Sequence, residues 1–385
     1  MRIAPIALVG AIVALSVVSL AVRSADVLDA AQAQKTTTDP ATVRAALQQG
    51  SVEDVAWQWF VALNTPLTGP APKLWESWRQ TSTVYLPNGH TPAPWGQTPP
   101  PPAAVIAQAQ KMGLNTNLPF HNLDSDLQVD GLALRDKFSQ NVRYQLLMNQ
   151  DTFQYIVSNG IYNVNGQQAM AQASKPADFP ATSFELKTSW IWIGDNQSIF
   201  NQLNGKYYIV NAYYALVDGS GKPNGLYRVG RAALSGMHII SKPVPQWLWT
   251  TFQNVYDAQY TQATNKLPMS PATTQANQKY RAALKNAGSI FANYQLIGAQ
   301  WQFETGGKPV LLANSQIESA FQLASSCATC HATASYSVAN GYFNIVKQQN
   351  GGITYYTGSP PTDQMKGYNP LDFVWSLKRA QWLRQ

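Results

Sequence analysis

The chain has 385 residues, a net charge of +7, 45% hydrophobic residues and only 12% charged residues. This length predicts two domains, or one large domain with an appendage, and the hydrophobic share is sufficient for a sizeable core. The low charge excludes a disordered chain. No basic run is longer than a pair, so the composition also argues against a nucleic-acid partner.

The first 33 residues have the features of an export signal. Arg2 precedes an apolar run over 3–22, and the small residues at 31–33 form a cleavage motif, with 22–24 as a competing site. The run of about 20 residues is also long enough to span a bilayer, so an uncleaved anchor in the inner membrane is the alternative. Both readings predict a periplasmic protein, which contacts the membrane only if this segment is retained.

Residues 35–311 are predicted to form an α+β domain whose role is unknown. Three consecutive strand-like segments separated by turn signals indicate an antiparallel sheet. In chain order, the predicted elements are a helix at 51–63, a proline-rich loop at 87–103, a strand at 143–148, a short helix at 152–159, strands at 184–192, 207–217 and 226–240, a helix at 246–259 and a polar loop at 263–278.

This region carries no familiar catalytic motif. Phosphate-binding, dinucleotide-binding, nucleophile-elbow and His-Glu-x-x-His patterns are all absent from the sequence. Glu185 and Lys187 alternate with apolar residues on a half-buried strand and are interpreted as a solvated pair, with a catalytic pair as the alternative. His238 has apolar neighbours and is interpreted as a core histidine, with a role beside a cofactor as the alternative. The catalytic residues therefore stay unknown.

The two cysteines of the chain lie in one motif. Cys327 and Cys330 are separated by two residues and followed by His331, which gives the string Cys-Ala-Thr-Cys-His. This spacing is typical of covalent haem attachment, in which two thiols bind the porphyrin and the adjacent imidazole ligates the iron. A redox dithiol is the alternative, but it leaves the histidine unexplained. One covalent haem c is the predicted cofactor.

Residues 312–385 resemble a class I cytochrome c domain. An apolar stripe begins at Ile317 and predicts a helix before the motif, and Asn369-Pro370 predicts the start of a helix at the C-terminus. The resemblance implies two helices that cross beside the haem, which would make this segment small and mainly α-helical. The chain departs from the family because no Gly-Pro-Leu-like turn follows His331.

Four further strings, at 56–66, 75–89, 237–252 and 325–331, resemble a group of bacterial exported monohaem c-type cytochromes. This resemblance implies haem and a periplasmic location, and it implies no particular substrate.

The second axial ligand of the haem iron is open. Met365 lies 34 residues after His331, before the predicted terminal helix, and would occupy the place of the methionine ligand in a class I cytochrome. The second possibility is one of three histidines, namely His238, His121 or His90. The third possibility is that this coordination position of the iron is open. A haem with two protein ligands favours electron transfer, whereas an open haem binds small molecules.

The predicted function is single-electron transfer by an exported monohaem c-type cytochrome. Its partner would be a redox protein or a small-molecule electron donor or acceptor. A haem-dependent oxidoreductase, either peroxidase-like or a dehydrogenase with its substrate site in the large domain, is the alternative, and a haem-based sensor is the third hypothesis.

Overall fold

The computed structural model describes residues 39–349 and 352–384. The predicted export segment, residues 1–33, lies outside these ranges. Within them, no helix is both long enough and apolar enough to cross a lipid bilayer.

The protein belongs to the α+β class, with short helices packed around a strongly curved sheet. The predicted helix at 51–63 is confirmed, and it begins one residue after Ser51. In the described ranges, the helices are α1 Pro40–Gln48, α2 Val52–Leu63, α3 Ala103–Lys111, α4 Gln150–Ser158, α5 Val164–Gln172, α6 Gln197–Leu203, α7 Asp257–Tyr260, α8 Pro271–Asn286 and α9 Cys327–Ala332, with 3-10 turns at Leu74–Ser77, Thr81–Thr83, Ile290–Asn293, Gln322–Ala324 and Trp375–Arg379.

Fifteen strands are formed in the described part of the chain, and the predicted strands at 143–148, 184–192, 207–217 and 226–240 are among them. The strands are β1 Arg79–Gln80, β2 Phe120–Asn122, β3 Arg143–Met148, β4 Phe184–Gly194, β5 Ile209–Val217, β6 Pro223–Ser241, β7 Leu248–Asn254, β8 Tyr294–Gln300, β9 Glu304–Thr305, β10 Lys308–Pro309, β11 Ser335–Ser337, β12 Gly341–Tyr342, β13 Val346–Gln349, β14 Gly352–Tyr355 and β15 Asn369–Pro370.

Strands β1 to β8 form one sheet that curls into a nearly closed barrel. All its pairs are antiparallel except β2 with β5. The 19-residue strand β6 is the central strand of this sheet. On one side, its first half pairs with β5 and its second half pairs with β7. On its other side, it pairs with β4. The antiparallel sheet predicted from the sequence is therefore confirmed in its central strands.

A close approach of two backbones helps the sheet to curl. A Cβ atom built on Gly230 of β6 would lie 2.4 Å from the Cα atom of Gly194, where the register of β4 and β6 shifts. Only glycine permits this contact, and a bulge at such a position increases the local twist of a strand.

Aromatic side chains from α2 pack against the sheet and helix α8 in one hydrophobic cluster. Trp57 stacks on Tyr280 of α8 with ring centroids 5.3 Å apart, and Phe60 stacks on Phe252 of β7 at 4.3 Å. These rings are almost fully buried, so burial of their large apolar surface is the main contribution of α2 to stability.

Two predicted elements of the large domain are wrong. The segment at 246–259 contains strand β7 instead of a long helix, and the polar segment at 263–278 contains the start of helix α8. All seven residues of β7 are buried, so this strand lacks the alternation that distinguishes a strand from a helix. Strand β4 is not half-buried as predicted, because every residue except Lys187 is buried.

The helices predicted on either side of the motif are also absent from the described residues at 312–384. Before the motif, the side chain of Asn314 bonds to Thr251 and to the carbonyl of Phe252, both at 2.8 Å, and accepts from the N–H of Gln316. Such side-chain bonds offer the backbone an alternative to a helix. Near the C-terminus, Asp372 and Phe373 have φ angles of 50° and 67°, a left-handed conformation that an α-helix excludes.

The C-terminal segment packs on the large sheet. One hydrophobic cluster contains Met148, Phe153 and Trp249 together with Leu371 and Val374. A boundary at 311/312 therefore runs through a shared core, and the mainly α-helical, cytochrome c-like segment expected from the sequence is not formed.

Candidate functional site

A cavity of about 910 Å³ lies between the central sheet and the C-terminal segment. Strands β3, β4, β6 and β7 supply one wall, the loop at 125–132 supplies a second, and the motif with its flanking residues supplies a third. Its volume is near the top of the range of about 300–1,000 Å³ that is usual for small-molecule and cofactor sites.

The cysteine motif forms helix α9, whose thiols and imidazole all line this cavity. Residues of the sheet hold the start of the helix in place. The side chain of Gln300 on β8 accepts from the N–H of Ala328 at 3.2 Å and donates to Ser326 Oγ at 2.9 Å. One short helix thus presents three potential cofactor ligands to a single space.

Both cysteines are free thiols. Burial raises the pKa of Cys330 to about 12, and the negative charge of Glu318 acts in the same direction. The same two causes raise the pKa of Cys327 well above its usual value. Both sulfurs are therefore protonated at neutral pH, which is the state of a thiol that has not been activated as a nucleophile.

The imidazole of His331 is held in one tautomer. Its Nδ1 atom lies 2.8 Å from the carbonyl oxygen of Phe373, and because a carbonyl only accepts, Nδ1 carries the proton. Burial lowers the pKa of His331 to about 4, so the ring is neutral and Nε2 has a free lone pair. A neutral imidazole whose other nitrogen donates to a carbonyl is the usual form of a metal-binding histidine.

The loop that carries the Phe373 carbonyl is fixed by its neighbour Asp372. The carboxylate accepts from the N–H of Phe179 at 2.6 Å and from Lys242 Nζ at 2.6 Å, and it also accepts from Trp247 Nε1 at 3.3 Å. Burial raises the pKa of Asp372, and these bonds oppose the rise. The orientation of His331 therefore depends on a carboxylate anchored to the large domain.

The sheet wall of the cavity carries a cluster of polar side chains. Lys187 and His238 are directly paired across β4 and β6, so their side chains leave the same face of the sheet. His238 Nε2 lies 3.0 Å from Glu318 Oε1. Burial acts to raise the pKa of Glu318, but the charge and hydrogen bond of His238 outweigh it and hold the pKa below its usual value.

Glu185 is a second acidic group on this wall. Ser376 donates to Glu185 Oε1 at 2.5 Å, and the hydroxyl of Tyr85 lies 3.0 Å from Ser376 Oγ. Burial raises the pKa of Glu185 to about 7, against the opposing effect of the Ser376 bond. A carboxyl group with such a pKa exchanges protons near neutral pH.

The structure brings four of the predicted site residues together, namely Cys327, Cys330, His331 and His238. It does not bring Met365 to them. Met365 lies in a turn, where its N–H donates to the carbonyl of Pro361, and it is not among the residues that line the cavity.

The other two histidines, His121 and His90, lie outside the cavity lining. His121 is buried and bonds to Glu76 at 2.9 Å and Gln145 at 3.0 Å, away from the cavity lining. His90 is exposed beside Asn88 and the carbonyl of Arg384.

Sequence reasoning missed Glu318 as a site residue, and it gave Lys187 and Glu185 a functional role only as the alternative. The favoured interpretation of the two as a solvated pair is wrong for Glu185, which is buried at the cavity wall. Period-two alternation correctly put them on one face of β4, but it does not reveal that the C-terminal segment covers this face. Glu318 accepts from the N–H of Asn314 at 2.8 Å in a segment that forms no α-helix.

No family model, curated protein or solved structure matches the chain. The functional argument therefore depends on the cavity and the residues that line it.

Proposed function

We propose that the protein is an exported c-type cytochrome that binds one haem covalently through Cys327 and Cys330, with His331 as the proximal iron ligand. The observation that carries this proposal is that both thiols and a neutral imidazole line one cavity of about 910 Å³. When bound, the haem supplies a one-electron redox couple, and the protein transfers single electrons to or from a redox protein or small molecule in the periplasm.

The chemistry of the lining fits a haem group. Apolar side chains such as Trp249, Ile240 and Leu146 line the cavity and would contact the porphyrin. Lys378 and Arg379 lie at the same cavity, where their cationic groups would pair with the two haem carboxylates. Met365 does not line the cavity, so the position opposite His331 would be filled by another group or be open.

The test is expression with a cytochrome c maturation system, followed by intact-mass measurement after acid–acetone extraction. We expect one porphyrin-iron adduct on the wild-type chain and none on the double variant Cys327→Ser/Cys330→Ser. The matched control is Ser325→Ala, which alters a neighbour of the motif and leaves both thiols, and it should keep the adduct. A wild-type chain of bare mass refutes the proposal.

A haem-dependent oxidoreductase is the second candidate. The observation that favours it is the polar cluster of Lys187, His238 and Glu318, because electron transfer alone needs no ionisable groups inside the cavity. Carbon monoxide added to the reduced holo-protein separates the two functions. A shift of the Soret band indicates an open haem and supports the oxidoreductase, whereas an unchanged band supports plain electron transfer.

A further inference from the structure

The ammonium group of Lys187 faces the cavity without a hydrogen-bonding partner. None of the residues described at 39–349 and 352–384 accepts a hydrogen bond from Nζ, which lies over the ring of Tyr144 at 5.4 Å from its centroid. Burial lowers the pKa of Lys187, and the negative charge of Glu318 opposes this. A cation withdrawn from water is unfavourable unless an anion or polar ligand approaches it.

His238 is held beside Lys187 in a fixed orientation. Glu318 accepts from His238 through Oε1 at 3.0 Å and from the N–H of Asn314 through Oε2 at 2.8 Å. Both carboxylate oxygens are therefore occupied within the protein. Because Nε2 of His238 is bound to Glu318, this histidine presents only its Nδ1 side to any further group.

Glu318 bonds to His238 and to the N–H of Asn314, and neither of its oxygens bonds to Lys187. Glu185, the nearest acidic residue along β4, has a pKa of about 7 and is therefore largely uncharged below neutral pH. The unpaired ammonium group of Lys187 consequently favours an anion at this place in the cavity.

Given the proposed haem site, we propose that Lys187 binds a small anion in the cavity, next to the pair formed by His238 and Glu318. The ligand is a small oxyanion or carboxylate with an ionised oxygen that accepts from Lys187 Nζ. It is small because the haem occupies most of the space. A haem carboxylate would satisfy the same chemistry, but two other cations line the same cavity, namely Lys378 and Arg379, of which Arg379 also pairs with Asp124 at 3.3 Å.

The test is a calorimetric titration of sodium nitrite into the ferric holo-protein, whose covalent haem is first verified by intact mass. Lys187→Gln should weaken nitrite binding about tenfold or more, because a hydrogen bond to a charged group contributes about 1.5–3 kcal/mol. Lys222→Gln is the matched control. Lys222 is exposed in the turn between β5 and β6, so binding should stay within about twofold of the wild type.

Two outcomes overturn the anion site while leaving the haem proposal intact. These are an absence of nitrite binding to the wild type and equal binding by Lys187→Gln. If equal binding is accompanied by a changed midpoint potential, Lys187 pairs with a haem carboxylate instead. If Lys187→Gln does not fold, Lys187→Met, which keeps most of the apolar part of the side chain, is used instead. It should also weaken nitrite binding, and unchanged binding by this variant overturns the proposal. A chain without haem refutes the proposed function itself.

Discussion

The indole ring of Trp249 lies against the imidazole of His331, with the ring centroids 4.2 Å apart and the planes inclined by 43°. Trp249 belongs to β7 and pairs with Ile240 of β6, so the motif packs directly on the central sheet. The sheet thus supplies the support that two crossing helices were expected to give, and the C-terminal segment needs no α-helix beyond α9.

Replacement of Trp249 should strongly destabilise the folded protein. Trp249→Ala should lower the free energy of unfolding by about 3–5 kcal/mol, because it removes a large buried ring and leaves a cavity beside His331. Denaturant titration of the wild type and variant measures the difference. Trp382→Ala is the control. Trp382 is 48% exposed, so its loss should change the free energy by less than about 0.5 kcal/mol. Similar effects of the two variants would contradict this account of the core.

The anchoring of the Phe373 carbonyl is tested at Asp372. Asp372→Ala should lower the free energy of unfolding by about 2–4 kcal/mol, because Lys242 loses its buried partner. In the holo-protein, the variant should also have a more positive midpoint potential, since a weaker bond to Nδ1 makes His331 a less basic ligand.

Asp178 provides the matched control for Asp372, because it is the second partner of Lys242 and its side chain is 89% exposed. Asp178→Ala should change the free energy of unfolding by no more than about 1 kcal/mol and leave the midpoint potential unchanged. If both variants behave alike, Asp372 does not hold the loop.

Glu185 should make the stability of the protein depend on pH. Its pKa rises from the ordinary 4.5 to about 7 on folding, so the folded state binds the proton more tightly than the unfolded state. The tighter binding of this proton therefore stabilises the folded state fully below pH 4.5. This stabilisation is lost as the pH rises through 7, which lowers the free energy of unfolding by roughly 3 kcal/mol.

Glu185→Gln removes this titration. Unfolding measured at pH 5 and pH 8 should show a larger loss of stability in the wild type than in the variant. An equal loss in both proteins would mean that Glu185 stays ionised in the folded state.

The placement of Met365 predicts that this residue is not a haem ligand. Met365→Ala should leave the absorption spectrum of the reduced holo-protein and its response to carbon monoxide unchanged, because Met365 is not part of the cavity lining. Optical titration with carbon monoxide measures both quantities. A variant that binds carbon monoxide when the wild type does not would restore Met365 as the distal ligand.

Sequence patterns predicted correctly those features that depend on residues close together in the chain. The helix at 51–63 and the strands from 184 to 240 follow from periodicity, and the spacing of Cys327, Cys330 and His331 depends on one short segment. Fully buried β7 was mistaken for a helix because it has no polar face. The helices predicted around the motif failed because bonds to distant residues, such as those of Asn314 with β7, replaced the helical ones.

The sequence by itself determined the α+β class, the central strands and the motif that predicts haem attachment, because each depends on residues close together in the chain. Only the tertiary structure decided that Lys187 and His238 line the cavity with His331, and that Met365 does not. The physical reason is that these positions depend on strand register and on the packing of residues 312–384 against the sheet. Both are set by contacts between residues that lie far apart in the sequence.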